Sequence, residues 1–387
     1  MYLQKIKLNY FRNYIEEDIE FDHSKIIILG ENAQGKSNLL EAIQILSTLK
    51  SYRINKEQDL VYQNRYNAEI NAYVEKKYTS HNLKIRIPAK GRKEIRVNGE
   101  KQARQLDFLG IVNTVLFSSL DLDLIRGTPE YRRNWVDNLL IQLEPVYAYI
   151  RSQYQHILRQ RNALLKQFKK QGYGNGNPLP DFVKLQLKLW NDKLIETACR
   201  VMRRRKRAIQ KLEPLARYWH EQISDHQEKL HIVYCPNIAY EKDDIEEIKQ
   251  AIGKELEERS AQEIIMGSTL CGPHRDDIQF MINNVPVKNY GSQGQQRTLV
   301  LGLKLAELQL IEEIIGESPI LLLDDVMAEL DLKRQQHLLD SLGNRFQTII
   351  TTTHLNYFGD RLLNESQILE VKKGHLQLRK KLGVDVP

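Results

Sequence analysis

The sequence predicts an α/β protein, with one lobe of mixed and antiparallel sheets with helices and a second, mainly helical lobe that contains a short helical hairpin. Three observations support this fold class. The chain has 387 residues, more than one domain usually contains. Residues 1–113 show strand periodicity around one helix, and strand and helix patterns alternate again in residues 291–387, which we expect to complete the first lobe. Residues 114–290 are mainly helical in period and are expected to form the second lobe.

Composition and charge restrict the class of protein. Apolar residues make up 41% of the chain, enough for a sizeable core. No apolar run approaches the roughly 18–20 residues that cross a bilayer, and the alternating residues 1–10 suit an edge strand rather than a signal peptide. Cys199, Cys235 and Cys271 have neither metal-ligand spacing nor a disulfide framework. We therefore expect a cytoplasmic protein without a membrane partner, whose net charge of +7 permits a polyanionic partner.

The strongest chemical signal is a phosphate-binding loop. An apolar run at residues 26–29 and a segment with helical spacing flank Gly30, Glu31, Asn32, Ala33, Gln34, Gly35, Lys36 and Ser37. Strand, Gly-x4-Gly-Lys-Ser and helix is the arrangement that such a loop requires. Glycines let the backbone wrap closely around phosphates, and the free amides of the first helical turn favour negative charge. The pattern predicts a nucleoside triphosphate site in which Lys36 contacts the outer phosphates and Ser37 holds Mg²⁺; a chance Gly-rich turn is the alternative.

Local periodicity predicts the remaining elements of the first lobe. Strands are expected at residues 3–8, 15–21, 68–74 and 83–87, and Asn98-Gly99 indicates a tight hairpin. These strands are expected to form an antiparallel sheet beside the nucleotide. After residue 290 the pattern predicts a buried helix, a strand at 320–323, a helix at 331–342, a strand at 348–351 and a closing hairpin at Gly374.

In the second lobe, helices near residues 147–170 and 183–201 are separated by the Gly/Pro-rich segment 171–180, which predicts an antiparallel helical hairpin. An acidic helix at 243–258 and a β-hairpin at 280–285 follow. The second arm carries an unbroken basic run: Arg203, Arg204, Arg205, Lys206 and Arg207. This run fits either a patch for DNA phosphates or a solvated helix face paired with local acids, and the sequence leaves both open.

Three further motifs carry candidate chemistry. Asp324 ends an apolar strand and is a candidate Mg²⁺ ligand, expected near Ser37 once the two strands lie side by side. Asp325 could position or deprotonate an attacking water, and His354 follows another strand, where it could reach a γ-phosphate. The third motif is a polar loop that opens a helix and could cradle a second phosphate; it contains Ser292, Gly294 and Gln295. Taken singly, each motif also fits an ordinary turn, helix start or surface histidine.

The order of these motifs resembles that of the ABC-type ATPase heads of the SMC and Rad50 group. Within that group the chain resembles the RecF family of DNA replication and repair proteins along essentially its whole length. The residues that carry the resemblance are 9–14, 30–38, 125–129 with 132–133, 272–277, 292–298 and 323–325.

The resemblance implies a role for each candidate residue. Lys36 and the loop amides would bind the phosphates of ATP, and Ser37 with Asp324 would hold Mg²⁺. The resemblance also implies that Asp325 is the general base and that His354 is a γ-phosphate switch. Two groups would reach the phosphates from elsewhere: Arg12 and Asn13 from the N-terminal corner, and Ser292, Gly294 and Gln295 from a second subunit.

The family implies a homodimer that closes around ATP on duplex DNA beside single-strand gaps, with weak, DNA-stimulated ATPase activity. RecR- and RecO-type partners and a part in SOS-related recombinational repair are implied as well. Transporter-type ATPases carry Glu where Asp325 stands, so the shorter side chain predicts slow turnover. The alternative function is the ATPase subunit of a membrane transporter; the absent Leu-Ser-Gly-Gly-Gln and the basic hairpin weigh against it. Helices of this length also argue against an SMC-like tether.

Overall fold

The computed structural model of the protein describes residues 1–54, 56–174, 179–330, 334–335, 338, 343 and 345–379. Their contacts divide the chain into two compact units. Unit 1 comprises Met1–Leu122, Leu215–Lys229 and Gly291–Pro387, and unit 2 comprises Asp123–Pro214 and Leu230–Tyr290. Across these described ranges, no helix is both long enough and apolar enough to pass through a lipid bilayer.

Fifteen strands and ten helices are named here in chain order. The strands are β1 (Tyr2–Phe11), β2 (Tyr14–Glu20), β3 (Lys25–Leu29), β4 (Asn67–Glu75), β5 (Ser80–Pro88), β6 (Glu94–Val97), β7 (Glu100–Lys101), β8 (Thr114–Ser118), β9 (Leu230–Cys235), β10 (Asp277–Ile282), β11 (Val285–Pro286), β12 (Ile320–Asp324), β13 (Thr348–Thr352), β14 (Gln367–Lys372) and β15 (His375–Leu378). The helices are α1 (Lys36–Thr48), α2 (Asp123–Arg126), α3 (Pro129–Leu143), α4 (Val146–Lys170), α5 (Asp181–Ile223), α6 (Ile245–Glu258), α7 (Ser260–Met266), α8 (Val287–Tyr290), α9 (Gln293–Ile315) and α10 (Asp360–Glu365).

A mixed sheet forms the centre of unit 1, in the order β15-β14-β3-β13-β12-β8. All neighbours in it are parallel except β14 and β15, which pair as an antiparallel hairpin. Ile26, Ile27 and Ile28 of β3 are fully buried, as expected for a strand covered on both faces. One expectation about this sheet is wrong: β13 lies between β3 and β12, so the strand before the phosphate loop and the strand that ends at Asp324 are not neighbours.

The second sheet of unit 1 is antiparallel, in the order β2-β1-β4-β5-β6-β7, and confirms the predicted arrangement. Its strands alternate between buried and more exposed residues, since one face packs on the core. Asn98 and Gly99 join β6 to β7 with φ of 51° and 85°, the positive values that a two-residue hairpin turn needs.

Unit 2 combines helices with a small sheet, in the order β11-β10-β9. The predicted helical hairpin is present: α4 ends at Lys170 and α5 begins at Asp181. Their apolar sides share one cluster, which contains Leu165, Phe168, Val183, Leu187 and Ile264. The helix predicted at residues 331–342 lies largely outside the described residues.

The units differ from the predicted ranges at two places. Thr114–Ser118 was expected to open the second lobe, but as β8 it pairs in parallel with β12, so residues up to Leu122 belong to unit 1. Leu215–Lys229 also belongs to unit 1. Both differences arise from pairings between distant parts of the chain, which local periodicity does not reveal.

Lys25 is a buried lysine in this sheet, and its charge is expected to lower the stability of the protein. Its side chain begins β3 with only 4% of the residue exposed, and burial lowers its pKa from 10.5 to about 8. Between these values the unfolded chain binds more protons than the native protein, so stability rises with pH there and the buried charge opposes folding below pH 8. Lys25→Met should therefore raise the free energy of unfolding at pH 7 by about 1–3 kcal/mol.

Urea unfolding at pH 7 and at a pH well above 10.5 would check this expectation. The gain should fade at the higher pH, because Lys25 is then neutral in both states. Lys5→Met is the control, because 42% of this side chain on β1 is accessible, and it should change stability by less than about 0.5 kcal/mol. A gain that is the same at both pH values would contradict the explanation.

Candidate nucleotide site

The loop between β3 and α1 is held by close contacts that exclude larger side chains. Gly35 has φ of 122°, and a Cβ there would lie 2.7 Å from Asn13 Nδ2. A Cβ on Gly30 would lie 2.6 Å from Val371 Cγ1. Glycine is therefore required at both positions.

Gln34 holds this loop to two distant segments. Its carbonyl oxygen accepts hydrogen bonds from Asn13 Nδ2 at 2.9 Å and from the Gly374 amide at 3.0 Å. Its side-chain oxygen accepts a 2.7 Å hydrogen bond from the amide of Lys373. The loop is thus fixed by the corner after β1 and by the turn between β14 and β15. Pattern reasoning did not reveal this support, because the residue at this position of the motif is unspecified.

Lys36 places its ammonium group over the loop. Nζ donates hydrogen bonds to the carbonyl oxygens of Gly30 at 2.8 Å and Glu31 at 3.2 Å, and it lies 3.7 Å from Asp325 Oδ2. Its side chain is only 4% exposed. The charge is therefore confined to the concave side of the loop, where the outer phosphates of a nucleotide are expected.

Asp324 receives hydrogen bonds from three elements. Ser37 Oγ and Thr351 Oγ1 donate to Oδ1 at 2.8 and 2.9 Å, and the Tyr52 hydroxyl donates to Oδ2 at 3.2 Å. Thr351 lies on the intervening strand β13 and bridges the gap between β3 and β12. The structure thus brings together the two predicted Mg²⁺ ligands although their strands are not adjacent. Tyr52 escaped sequence reasoning because it lies in an irregular segment with no motif.

The donor set of Ser37 and Asp324 fits Mg²⁺. This cation prefers oxygen ligands and keeps several waters, so proteins hold it with one or two side chains together with substrate phosphates. No group of three or more His, Cys, Asp and Glu side chains suited to a metal is found in the part of the chain that the structure describes. A hydroxyl and a carboxylate within 2.8 Å of each other, at the start of α1, satisfy the requirement.

Asp325 projects from a left-handed residue with φ of 54°, and its amide donates to Thr351 Oγ1 at 2.9 Å. This conformation turns the carboxylate toward Lys36, leaving 40% of the side chain exposed. Burial raises the pKa of Asp325, while the charge of Lys36 acts in the opposite direction. A base in contact with both the loop and solvent is suited to orient a water molecule.

Arg12 and His354, which were predicted to contact the phosphates, have other partners in this structure. The guanidinium group of Arg12 forks onto Glu41 of α1, at 2.8 and 2.7 Å, and Arg12 also bonds the Asp59 carbonyl oxygen at 3.0 Å. His354 is exposed after β13, and its ring lies 6.4 Å from that of Tyr357. Phosphate contacts by Arg12 and His354 therefore stay predictions, whereas Asn13 contacts the loop directly.

The polar loop before α9 forms a capping box. The Ser292 hydroxyl accepts a hydrogen bond from the Gln295 amide at 3.1 Å, and Gln295 Oε1 accepts one from the Ser292 amide at 2.8 Å. We call Ser292, Gly294 and Gln295 the signature loop. It borders a cavity of about 910 Å³ that Glu228 and Arg334 also line. No hydrogen bond or ion pair joins this loop to residues 30–37 within the described ranges.

The basic run on α5 is largely paired with acids of unit 2. Arg203 and Arg207 share Asp243 at 2.8 and 2.7 Å, Arg204 pairs with Glu144 at 3.0 Å, and Lys206 lies 4.4 Å from the centre of the Tyr240 ring. The run is therefore closer to a paired helix face than to a bare cationic patch.

Arg205 must be removed from the predicted DNA-binding residues. It is 5% exposed, and its guanidinium group bonds Asp137 at 2.9 and 3.0 Å and the Pro273 carbonyl oxygen at 2.6 Å. A buried, fully engaged cation cannot reach a phosphate in solvent. The sequence could not reveal this, because Asp137 belongs to α3, far away along the chain.

Comparison with known proteins identifies the family. The family model described as RecF/RecN/SMC N terminal domain matches residues 2–375. The DNA replication and repair protein RecF of Gloeothece citriformis is 52% identical over 382 residues, which cover 97% of this chain and 100% of that relative. The chain belongs to the RecF family. RecF of Microcystis aeruginosa is 53% identical over 376 residues, covering 97% and 100% of the two chains.

Solved structures agree with this assignment. A structure of the recombination mediator protein RecF with ATP, in the RecFOR pathway, superposes with a TM-score of 0.88 at 33% identity and covers 98% of both chains. The Smc head domain of Pyrococcus furiosus, bound to the C-terminal domain of ScpA, gives a TM-score of 0.52 at 16% identity, which supports the fold alone. The predicted family and the predicted ABC-type ATPase head fold are both confirmed.

Proposed function

We propose that this RecF family member binds ATP with Mg²⁺ and acts as an ATP-dependent DNA-binding switch in recombinational repair and replication restart. The observation that carries the proposal is the convergence of Lys36, Ser37 and Asp324 at a loop that requires glycine at positions 30 and 35. A solved RecF with bound ATP that shares this fold supports the same ligand for this chain.

The roles of the residues follow from their positions. Lys36 would exchange its contacts with the carbonyl oxygens of Gly30 and Glu31 for the outer phosphates, while the amides at the start of α1 hold the remaining charge. Ser37 and Asp324 would hold the metal ion, which neutralises phosphate charge when bound. Asp325 would orient or deprotonate the water. Because Asp is one methylene shorter than Glu, we expect slow, DNA-stimulated hydrolysis.

The proposed active site is composite. The signature loop opens α9 and faces a separate cavity, so it would contact the γ-phosphate of ATP held by a second copy of the chain. A two-fold homodimer would then contain two equivalent sites, each made from both copies. ATP would favour this closed dimer because its γ-phosphate gains contacts there that the monomer lacks.

The partners follow from the family. The solved RecF is described as part of the RecFOR pathway, and we propose RecR- and RecO-type partners for this chain as well. The DNA substrate would be duplex beside a single-strand gap, clamped by the ATP-bound dimer and released after hydrolysis. A cytoplasmic location and an SOS-related role complete the proposal.

Sedimentation of the wild-type protein with Mg²⁺-ATP, Mg²⁺-ADP or no nucleotide tests the proposed switch. A shift to dimers with ATP alone is expected, together with tighter binding of gapped duplex DNA under the same conditions. An ATPase rate per molecule that does not depend on protein concentration would contradict the composite site.

The basic run on α5 gives a prediction about DNA. Arg203, Arg204, Lys206 and Arg207 carry four positive charges against the two negative charges of Asp243 and Glu144, so a net positive surface remains for phosphates. Reversing Lys206 and Arg207 to Glu should weaken DNA binding on the order of tenfold and reduce the slope of log K against log salt by roughly 2.

Fluorescence anisotropy of labelled duplex DNA at several salt concentrations would measure this effect. Lys249→Glu with Lys254→Glu on the acidic helix α6 is the charge-matched control, which we expect to leave the slope unchanged. If both pairs of substitutions gave the same slope of log K against log salt, the basic run would be a paired, solvated helix face and not a DNA-binding surface.

A further inference from the structure

One residue outside every recognised motif, Glu228, contacts the signature loop, and His220 contacts Glu228 in turn. Glu228 lies between the end of α5 and the start of β9, and its Oε1 accepts a 2.9 Å hydrogen bond from Gln295 Nε2. Its Oε2 lies 3.0 Å from Nε2 of His220, whose side chain is fully buried. Both carboxylate oxygens are thus held, one by the signature loop and one by the protein interior.

Gln295 is anchored at both ends of its amide. Oε1 accepts from the Ser292 amide at 2.8 Å, and Nε2 donates to Glu228. The orientation of this side chain therefore depends on Glu228 as well as on the capping box. The Ser292 hydroxyl accepts from the Gln295 amide, which leaves its own proton free for an anion.

His220 is held by close packing between helices α5 and α9 and therefore fixes the position of Glu228. A Cβ on Gly302 of α9 would lie 3.2 Å from the backbone nitrogen of His220, so the two helices are in near-contact at this point. Burial lowers the pKa of His220, with Glu228 and Glu221 acting in the opposite direction. A neutral imidazole that donates from Nε2 to the carboxylate agrees with this geometry.

The cavity beside the signature loop is lined by the guanidinium group of Arg334, which could hold an anion, and by the carboxylate of Glu228. Arg334 approaches Gly294 so closely that a Cβ there would lie 3.6 Å from its guanidinium nitrogen. Glu228 lines the same cavity with 20% of its side chain exposed. The negative charge of Glu228 would repel an incoming phosphate. Glu228 can therefore favour phosphate binding in this cavity only through its hydrogen bond to Gln295.

We propose that Glu228, supported by His220, is a positioning residue that orients Gln295 and Ser292 toward the γ-phosphate of ATP on a second copy of the chain. The inference rests on the proposed composite site and deepens it. Glu228 touches neither the phosphate loop nor the reacting atoms, so it acts through the signature loop. Its loss should weaken the ATP-dependent dimer without changing the binding of ATP to the monomer.

The test compares Glu228→Ala with Glu228→Gln, which keeps an acceptor oxygen for Gln295 and removes the charge. The new amide nitrogen would face Nε2 of His220, which accepts there once the imidazole carries its proton on Nδ1. For Glu228→Ala, the protein concentration that gives half-maximal ATPase activity should rise roughly tenfold, while a fluorescent ATP analogue should bind the monomer within about twofold of wild type. Glu228→Gln should restore the concentration to within about threefold of wild type. Asp225→Asn removes a charge from the same cavity wall and should behave like wild type.

A second variant separates positioning from folding. Gln295→Met retains length without the amide and leaves His220 and Glu228 in place. It removes the contact with Glu228 together with the capping-box bond to the Ser292 amide, so its effect should be at least as large as that of Glu228→Ala. The double variant should be no worse than Gln295→Met alone, because the contact with Glu228 is already lost there. Additive losses, wild-type behaviour of Glu228→Ala, or failure of Glu228→Gln to rescue would each overturn the inference. A wild-type protein that does not dimerise with ATP would instead overturn the proposed function.

Discussion

Lys36→Met is expected to abolish detectable binding of ATP and, with it, ATP-dependent dimerisation. The ammonium group is the one cation observed on the concave side of the phosphate loop among the residues described above, where it donates two hydrogen bonds. In the proposed complex this group donates to the outer phosphates instead, and losing two such charge-assisted hydrogen bonds of roughly 1.5 kcal/mol each corresponds to a loss of affinity on the order of 100-fold. Isothermal titration with Mg²⁺-ATP measures the affinity, and sedimentation measures the assembly.

Methionine suits this test because it fills the buried space of the lysine stem. The side chain of Lys36 is 4% exposed, so a shorter residue would leave a cavity and confuse loss of ligand with loss of fold. The melting temperature without nucleotide should stay within a few degrees of wild type. Dimers that form normally with ATP in this variant would show that the loop is not the site of the nucleotide.

Sequence reasoning succeeded where the determining interactions are local. The phosphate loop is a contiguous motif between a strand and a helix, and the flanking apolar pattern was sufficient to predict both. The helix predicted at 147–170 runs from Val146 to Lys170, since the Gly/Pro-rich segment after it ends the helical period. The Asn98-Gly99 hairpin was likewise predicted from two residues, because few others tolerate positive φ at both positions.

The arrangement of the candidate site could not be predicted in full, because it depends on contacts between distant segments. Ser37 bonds Asp324 directly, and Thr351 bonds the same carboxylate from β13, a later strand that lies between β3 and β12. The basic run also led to the wrong prediction that Arg205 contacts DNA, because its burial depends on pairing with Asp137, far away along the chain. A run of bases reveals the total charge but not which members a fold encloses.

Gln34 and Glu228 illustrate the same limit. Neither residue type suggests a function by itself, and each acquires one from partners far along the chain. Gln34 is bonded by residues near both ends of the protein, whereas Glu228 is bonded by the signature loop. Gln34 lies within the phosphate-loop motif at a position that admits any residue, and Glu228 lies outside every motif, so the motif patterns reveal the supporting contacts of neither.

Ser292→Arg is expected to block dimerisation while leaving the binding of ATP to the monomer intact. Ser292 caps α9 and borders the cavity proposed to receive the γ-phosphate of a second copy, so a long cationic side chain would obstruct that approach. Loss of the cap costs about 1 kcal/mol, which Ser292→Ala reproduces without the obstruction. Turnover should therefore fall far more in Ser292→Arg than in Ser292→Ala.

Mixing Ser292→Arg with Lys36→Met gives the sharpest test of a composite site. The first variant can bind ATP but has an obstructed signature loop, and the second has an intact signature loop but no ATP. A mixed dimer would pair the ATP of one with the loop of the other and so contain one complete site. Because neither variant should dimerise alone, the dimers that form would be mixed, each with one complete site of two, so the mixture should recover up to roughly half of the wild-type rate. The control is that both variants are folded and that Ser292→Arg still binds ATP. If their mixture nevertheless stays inactive, the signature loop does not act across the dimer.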